Sequence, residues 1–407
     1  MSRPEGLIRE FCPDGVEFHE MGKVCRLVTG ATPSKTNPAF WIDGTIPWMS
    51  SGEVNNKQIF DTESKITKLG YDKTSATIVP IHTVVIALAG QGKTRGKVAI
   101  TEIELCTNQS LCSIICGPAL DYKFLYYYLD GKYEELRTIS NGDGTRGGLS
   151  LKILSPYKIP VPPLPVQREI VRILDNFTEL TAELTAELTA RKKQYEYYRS
   201  VILRSSSTAI EKTLGEICDF VRGPFGGSLK KENFTKEGYA VYEQQHAIYG
   251  DFKFRYFVSK TKYDEMRRFS VKPGDLIMSC SGTMGRIAII PDDAPNGIIN
   301  QALLKLTPKA EVSNKYLKYY FEDTIAAQMN SEARGGAIKN VASVAVLKDI
   351  KIQMPPLTEQ NRIVTILDYF HNLCNDLASG LPAEIEARQK QYEYYRDKLL
   401  SFKELAE

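Results

Sequence analysis

Two stretches of the chain carry apolar residues at alternating spacings of three and four positions. They are Ile170, Ile173, Phe177, Leu180 and Leu184 in the first stretch, and Ile363, Ile366, Phe370, Leu373 and Leu377 in the second. This spacing is typical of helices that pack along a coiled-coil seam. Two seams of matching length in one chain predict two long helices that pack against each other in antiparallel fashion.

Proline and glycine mark where these helices begin and where one of them breaks. Proline-rich segments precede both seams, at residues 160–165 and 355–356, and proline suits the first turn of a helix. The sequence Gly380-Leu381-Pro382 falls inside the second helical stretch. Because proline lacks a backbone N–H and clashes with the preceding turn, we expect the second helix to kink or break there.

The two halves of the chain repeat one another. VPPLPVQREIVRILDNF at residues 161–177 matches MPPLTEQNRIVTILDYF at residues 354–370, an offset of 193 residues. The sequence QYEYYR at residues 194–199 recurs at 391–396, so the offset grows by four residues within the helical segment. Such self-similarity indicates duplication of one structural unit.

This duplication predicts an α+β fold. We expect two pseudo-repeated, mixed, strand-rich domains, separated by two long antiparallel helices that form an intramolecular coiled coil. The predicted boundaries are residues 1–158 for the first domain, 159–206 for the first helical region, 207–350 for the second domain and 351–407 for the second helical region.

Composition narrows the class of protein. The 407 residues are 43% hydrophobic and 25% charged, as in ordinary globular proteins, and the net charge of +3 neither supports nor excludes nucleic acid. No segment has the apolar run of a signal peptide or a membrane span. The eight cysteines form no CxxC pair and there are four histidines. We therefore expect a cytoplasmic protein with reduced thiols and no metal site.

The sequence AGQGKT at residues 89–94 raises the alternative of a nucleotide hydrolase that uses Lys93 and Thr94. The phosphate-binding motif GxxxxGK[ST] requires glycine where this chain has Ala87, and strand-like residues follow where a helix should begin. A glycine-rich, basic β-hairpin loop accounts better for this segment and for its counterpart SCSGTMGR. No nucleophile–base motif such as HExxH or GxSxG is present.

Both halves contain loops that combine glycine, small polar residues and lysine or arginine, a composition suited to phosphate. These loops are TGATPSK (29–35), GQGKTRGK (90–97), RGPFGGSLKK (222–231) and SGTMGR (281–286). Amides at residues 108–109, 300–301 and 244–245 can pair with adenine edges, and arginines with guanine. The candidate DNA-binding residues are Thr32, Ser34, Lys35, Gln91, Lys93, Thr94, Arg95, Lys97, Arg146, Arg222, Ser228, Lys230, Lys231, Gln244, Gln245, His246, Ser281, Thr283, Arg286 and Arg334.

The two QYEYYR segments are candidates for a partner interface. Three tyrosines and an arginine within about a turn and a half cover more than one helix face, and both residue types are enriched at interface hot spots. The candidate partner-binding residues are Tyr195, Tyr198, Arg199, Tyr392, Tyr395 and Arg396. Packing within the chain is the alternative for the same residues.

Taken together, these motifs resemble the specificity subunits of type I restriction–modification systems. The resemblance rests on CPDGVEFHEMGKV at residues 12–24, the TPS and IPW patterns at 32–34 and 46–48, and the two PPLxxQxxIVxILDxF helix starts. The TAEL repeat and the paired QYEYYR segments are similar to the type IC branch. The first recognition region has TGATPS where the second has RGPFGG, so loop roles do not transfer uniformly.

The resemblance implies a non-catalytic, sequence-specific subunit for double-stranded DNA. Each of two target-recognition domains would read one half of a bipartite, asymmetric site. The helices would set the spacer and dock two modification subunits, which carry S-adenosylmethionine and methylate adenine N6. Restriction subunits with ATP and Mg would join them, and this chain itself would bind no cofactor. The alternative from the residues alone is a coiled-coil scaffold with protein-binding heads.

The tetrapeptide TAEL occurs twice in succession, at residues 181–188. Alanine, leucine and glutamate favour helix. Each unit adds about 6 Å of length and about 40° of rotation beyond a full turn, close to the 34–36° between DNA base pairs. We therefore expect the repeat to act as an adjustable spacer between two half-sites, as changed TAEL number does among type IC relatives.

Overall fold

The structure, a computed structural model, describes residues 10–90, 94–140, 148–204, 207–225, 227–280, 285–325, 344–376 and 378–405. The chain divides into two compact units. The first contains Met1–Thr185 and Ile385–Glu407, and the second contains Ala186–Glu384. Each unit therefore combines a strand-rich region with helical segments from two distant parts of the chain, while the predicted four-part division stays a prediction.

The first unit is built around a five-stranded sheet, which we call its central sheet. Its strands lie in the order Cys25–Thr29, Leu111–Cys116, Val84–Ala87, Val98–Thr101 and Gln58–Ile59. A three-stranded side sheet contains Ser64–Ile66, Ile46–Met49 and Cys106–Thr107, and Phe18–Glu20 pairs with Lys158–Pro160. The central strands are buried on both faces, which explains their nearly continuous apolar text.

Short helices cover the sheets of the first unit. The α-helices are Met21–Val24, Lys68–Asp72, Tyr122–Gly131, Tyr133–Ser140 and Leu151–Leu154, and the 3₁₀ helices are Pro38–Phe40 and Ser51–Asn56. Asp121 caps the Tyr122–Gly131 helix by accepting from the backbone N–H groups of Lys123 and Phe124. That helix buries six consecutive side chains, from Phe124 to Leu129, between the sheet and the helical segments.

The second unit repeats this plan with four strands in its central sheet, in the order Cys218–Arg222, Leu303–Pro308, Leu276–Ser279 and Ile287–Ile289. Its side sheet has the order Phe234–Thr235, Phe257–Val258, Tyr239–Tyr242 and Gly297–Ile299, and Ile210–Thr213 pairs with Lys351–Met354. Its shorter helices are Leu214–Ile217, Lys231–Asn233, Gln244–Tyr249, Lys260–Glu265, Arg267–Phe269, Asn314–Tyr320, Phe321–Ile325 and Val344–Asp349.

The long helical segments differ in continuity. Leu164–Arg204 is one helix of 41 residues that runs from the first unit into the second. The second stretch forms two helices, Leu357–Asn375 and Leu381–Leu399. The predicted break at Gly380 and Pro382 is confirmed. A Cβ on Gly380 would lie 2.6 Å from the carbonyl oxygen of Asn372, so only glycine fits this turn. Leu377 lies outside the described residues.

The helices pack within each unit through aromatic contacts. In the first unit, Phe177 stacks on Tyr395 with ring centroids 5.4 Å apart. In the second unit, Tyr195 meets His371 edge-on at 6.3 Å. The predicted α+β class, with two strand-rich regions and long helices, is confirmed. No helix in the described part of the chain is long and apolar enough to cross a membrane.

A buried glutamine joins the start of each long helix to its strand-rich region. The Gln167 side chain is fully buried; its Oε1 accepts from the Asp121 N–H, and its Nε2 donates to the carbonyls of Ala119 and Pro162 at 2.9 and 2.6 Å. Gln360 makes the same contacts in the second unit, with the Ser313 N–H and with the carbonyls of Glu311 and Pro355.

Replacing either glutamine by alanine should destabilise its own unit. Gln167→Ala leaves the Asp121 N–H and the carbonyls of Ala119 and Pro162 without their side-chain partner; the Pro162 carbonyl is buried, the other two contacts are partly buried, and an unsatisfied buried group costs about 1–3 kcal/mol. We expect Gln167→Ala and Gln360→Ala each to lower the free energy of unfolding by about 3 kcal/mol in chemical denaturation. Gln58, an exposed glutamine on a strand, is the control. Losses no larger than that of Gln58→Ala would contradict the role of the junction.

Candidate nucleic-acid interface

In the first unit, strand register brings three loops to one edge of the central sheet. Thr29 pairs with Cys112, Ala87 with Leu111, and Ile86 with Val98. All these strand ends therefore lie together, and so do the described loop residues next to them, 30–35, 88–90, 94–97 and 108–110. We call this the first loop edge. The hairpin interpretation of residues 90–97 is confirmed, because Val84–Ala87 and Val98–Thr101 are antiparallel neighbours.

The second unit has the same arrangement. Arg222 pairs with Leu304, Ser279 with Leu303, and Met278 with Ile287. The described loop residues next to these strand ends, 223–225, 227–230, 280, 285–286 and 300–302, thus lie at one edge of the central sheet, which we call the second loop edge. Each loop edge gathers the glycine-rich and amide-bearing loops that the sequence predicts for its half of the chain.

One glycine in each unit permits a close approach at the loop edge. A Cβ on Gly30 would lie 1.7 Å from the carbonyl oxygen of Thr107, and one on Gly223 would lie 1.9 Å from that of Asn300. No larger residue fits either position. The side chains of Asn108 and Asn300 each close a turn. Asn108 accepts from the Ser110 N–H, and Asn300 accepts from the Ala302 N–H, both at 3.0 Å. Their amides therefore hold the turn, while the adjacent glutamines are exposed.

Two tryptophans hold the 30–35 loop in place. The indole N–H of Trp48 donates to the carbonyl of Ala31, and that of Trp41 donates to the carbonyl of Ser34, at 2.9 and 3.1 Å. The rings pack edge-to-face with centroids 5.1 Å apart. The Thr32 hydroxyl donates to the exposed Gln109 side chain across the loop edge. Ser34 and Lys35 are exposed, so the loop presents polar groups from a fixed backbone.

In the hairpin loop of the first unit, the prediction that Thr94 contacts DNA is wrong. Thr94 is buried, and its hydroxyl donates to the carbonyl of Ala89, so it braces the loop instead of facing outward. Arg95 and Lys97 are half-buried, and the Lys97 ammonium donates to Asn55 at 2.7 Å. Asn55 is exposed and was missed in the sequence. Gln91 and Lys93 lie outside the described residues.

The side sheet of the second unit brings another candidate segment to the second loop edge. Tyr239–Tyr242 is parallel to Gly297–Ile299, so the carboxyl ends of both strands lie together. Gln244 and Gln245 follow the first of these strands and Asn300 the second, and both glutamines are half-buried. The Asn300 N–H donates to the carbonyl of Tyr242, so the segment that carries Gln244 and Gln245 begins beside the turn of the second loop edge.

The prediction that His246 contacts DNA is also wrong. Its side chain is fully buried, Nδ1 accepts from the Glu243 N–H at 2.8 Å, and Nε2 lies 3.0 Å from the carbonyl of Lys253. The ring therefore fixes the start of the Gln244–Tyr249 helix and does not reach solvent. Glu243 also binds Arg255 through two hydrogen bonds of 2.8 Å, which raise the pKa of that guanidinium. Arg255 was not among the sequence candidates.

The other candidates of the second unit are at the surface. The exposed residues are Arg222, Ser228, Lys230, Lys231 and Arg286. Lys230 and Lys231 begin the Lys231–Asn233 helix, where Asn233 accepts from the Lys230 N–H. Ser281, Thr283, Arg146 and Arg334 lie outside the described residues. The described part of the second loop edge is therefore cationic.

The partner candidates on the helices divide between buried and exposed faces. Tyr195 and Tyr392 pack on the cores of their units, and burial raises the pKa of both phenols. Arg199 lies over the Tyr195 ring and 3.3 Å from Asp323, while Arg396 lies over Tyr392 and 3.7 Å from Asp130. For these four residues the structure favours the alternative of packing within the chain, and Tyr395 stacks on Phe177.

The exposed face of each QYEYYR segment carries different tyrosines. Tyr198 is 42% exposed, as predicted for a partner contact, and Tyr197 and Tyr394 are 66% and 61% exposed. Tyr197 and Tyr394 were not among the sequence candidates. A helix of 3.6 residues per turn places them opposite Tyr195 and Tyr392, but the letters YEYYR alone do not show which face packs on the core. Within the described residues, no cluster of His, Cys, Asp and Glu side chains is arranged to hold a metal ion.

The sequence matches a family model and is similar to known proteins. Residues 13–191 and 207–387 each match the family model described as the type I restriction modification DNA specificity domain. A putative type I restriction enzyme specificity subunit of Haemophilus influenzae is 36% identical over 295 residues, which cover 70% of this chain and 73% of that protein. The EcoR124I/EcoR124II specificity subunit of Escherichia coli is 35% identical over 306 residues, or 69% and 70% of the two chains.

Solved structures share the fold. A chain from a study of complex assembly and conformational transition in a type I R-M system has a TM-score of 0.66 at 19% identity, over 95% of this chain and 98% of that one. The HsdS subunit of Thermoanaerobacter tengcongensis has a TM-score of 0.59 at 19% identity, over 95% and 97% of the two chains.

Proposed function

The chain belongs to the type I restriction–modification DNA specificity family, and from that premise we propose that it selects the DNA site of such a complex. Each loop edge reads one half of a bipartite, asymmetric site in double-stranded DNA. The single observation that carries this proposal is the repeated convergence of polar loops on one sheet edge in each unit. Since the loop sequences differ between the units, the two half-sites differ as well.

The two loop edges contain both kinds of group that DNA recognition needs. Exposed glutamines such as Gln109 and Gln301 present amides for base edges, and Arg222 and Arg286 suit guanine or phosphate. Fixed backbones support these groups: the tryptophan contacts hold the first loop, and the buried His246 ring holds the Gln244–Tyr249 helix. A rigid support favours specificity because the partners need no ordering on binding.

The chemistry belongs to partner subunits in this proposal. Modification subunits supply S-adenosylmethionine and methylate adenine N6 after flipping the base from the duplex. Restriction subunits supply ATP-dependent activity with Mg, and this chain contributes recognition alone. One modification subunit docks on the exposed Tyr197 and Tyr198 of the second unit and the other on the exposed Tyr394 of the first unit. Tyr195, Arg199, Tyr392 and Arg396 fix the same helices to their own units.

The helix of 41 residues is suited to act as a spacer. Between Asp175 and Gln194 no side chain is buried, and Leu184 and Leu188 are only half-buried. The threonine hydroxyls of the repeat region donate to carbonyls of their own helix, as Thr181 does to Phe177 and Thr185 to Thr181. A four-residue insertion here would add a helical turn without disturbing a core.

The assembled complex tests the proposed specificity. We expect the chain, purified with its modification subunits, to direct N6-methylation of adenine to one split motif, detected by sequencing methylated bases. A complex that methylates without such a motif would refute the proposal.

Arg286→Ala tests base recognition by the second loop edge. Loss of a bidentate contact to a base costs about 1–3 kcal/mol, roughly 5- to 150-fold, at one position of one half-site. Arg286→Lys keeps the charge but loses the bidentate geometry, so it should relax the same position. Arg172→Ala, on the long helix, is the control. Equal weakening on every sequence, with a salt dependence lower by about one phosphate contact, would instead assign Arg286 to phosphate.

Insertion of one further Thr-Ala-Glu-Leu after Leu188 tests the spacer. The extra turn adds about 6 Å and about 40° of net rotation, so we expect a longer gap between unchanged half-sites in the methylation motif. Thr185→Ala, which alters the repeat but not its length, should leave the gap unchanged. An altered half-site, or an unaltered gap in the insertion variant, would contradict the spacer.

The double variant Tyr197→Ala and Tyr394→Ala tests the docking face. Exposed tyrosines at an interface centre are often worth 2 kcal/mol or more, so we expect assembly with modification subunits to weaken at least about tenfold. Titration calorimetry measures this directly. Tyr249→Ala, equally exposed but on a short helix of the second unit, serves as the control. Unchanged assembly would place the docking surface elsewhere.

A further inference from the structure

Phe225 is the most exposed of the large hydrophobic side chains in the described part of the chain. Its exposed fraction is 93%, in the loop that follows the Cys218–Arg222 strand at the second loop edge. An isolated aromatic ring in water gains nothing for the folded chain, since the burial that makes aromatic residues stabilising is absent. The ring is therefore free to contact a partner outside the chain.

The backbone around Phe225 is held, so the ring stands on a defined support. Pro224 is buried on one side, and Leu229 on the other side is 6% exposed in a core with Val241 and Ile298. The carbonyl of Phe225 accepts from the Ser228 N–H at 2.8 Å, which closes a tight turn. Two anchors and a turn thus present the ring at the surface.

The charges near the ring identify the chemistry of the partner. Arg222, Lys230 and Lys231 are exposed in the same segment, and residues 222–231 contain no acidic side chain. Arg286 leaves the same sheet edge. An aromatic ring among cations fits a polyanion that carries flat apolar faces, which describes the phosphates and bases of DNA. A protein partner would favour a broader apolar patch.

The first unit does not share this feature. The position equivalent to Phe225, two residues after the close-approach glycine of its own unit, is Thr32, whose hydroxyl donates to Gln109. The two loop edges have the same framework at this point. Only the second places an aromatic ring there, so the ring serves the half-site of that unit.

We propose that Phe225 inserts between adjacent bases of the half-site read by the second unit and unstacks one base step. This inference rests on the proposed function and assigns a specificity-determining residue within it. Apolar wedges of this kind open a step at a cost that depends on the step. Flexible pyrimidine–purine steps open most readily, so Phe225 reads deformability where the polar side chains read base edges.

The test uses the full chain assembled with its modification subunits and a duplex that carries its methylation motif. The fluorescent base 2-aminopurine is placed in turn at positions of the second half-site other than the methylated adenine, because base flipping also raises its fluorescence. We expect the wild-type complex to brighten one step. Phe225→Ala should abolish that signal and bind the motif about 5- to 150-fold more weakly, as loss of one stacked base does.

Two further variants separate stacking from other roles. Phe225→Trp keeps an aromatic ring and should retain the signal, whereas Phe225→Gln replaces the apolar wedge by a polar side chain and should lose most of it. The salt dependence of binding should stay that of wild type, since no charge is removed. Phe60→Ala is the matched control, because Phe60 is 68% exposed but follows a strand whose end pairs with Thr101, at the edge of the first central sheet opposite its loops.

The outcomes distinguish this inference from the proposed function. If Phe225→Ala binds and brightens as wild type does while the split methylation motif persists, the insertion is refuted and the recognition role stands. If the wild-type complex shows no preferred sequence, both the insertion of Phe225 and the recognition role of the chain are refuted. Thermal unfolding of Phe225→Ala should match wild type, because the side chain is exposed, so weaker binding reports lost contact and not lost folding.

Discussion

Each loop edge depends on one close approach of backbone to backbone. Where the first strand of the central sheet ends, a glycine lies against a carbonyl at the neighbouring Asn-Gln turn, that of Thr107 just before the turn in the first unit and that of Asn300 in the second, closer than any Cβ allows. This contact, with the antiparallel register that leads to it, fixes which residues leave the sheet together. A shift of register by one residue would send the loop side chains to the opposite face. The loops are therefore free to vary in sequence, while the glycine and the register keep them at the same edge.

Much of this organisation could be predicted from the letters alone. The duplication, the hairpin loops and the break at Gly380 follow from repeats, glycine-rich turns and proline, which act through local backbone chemistry. Whether an individual side chain is buried or exposed could not be predicted in this way, because burial depends on contacts with residues far along the chain. His246 lies in a polar sequence but is covered by Phe252 and Phe254. Tyr195 and Tyr197 are two residues apart, yet only tertiary packing makes one a core residue and the other a surface residue.

The QYEYYR segments show how one short motif serves two purposes. In each unit its inner face places a tyrosine in the core and an arginine against an aspartate, Asp323 in the second unit and Asp130 in the first. Both guanidinium groups are largely buried, so these pairs hold the helix ends in register with their units more than exposed pairs would. The outer face of each segment carries exposed tyrosines, Tyr197 and Tyr394, that do not pack in the core of their unit. Sequence identity between the copies thus reflects two constraints acting on opposite sides of one helix.

The division of the chain also determines the order in which its parts can fold during synthesis. The core of the first unit includes Leu399 and Leu400, and the backbone around Val16 pairs with Lys403 and Leu405. The second unit, by contrast, draws only on residues 186–384. On a ribosome that adds residues one at a time, residues 10–185 obtain the helix and the backbone pairing that complete their core only after residues 186–384 have been made. Residues 186–384 can therefore complete their core first, and the apolar residues of the first unit that pack on Leu399 and Leu400 stay uncovered until those two leucines have been made.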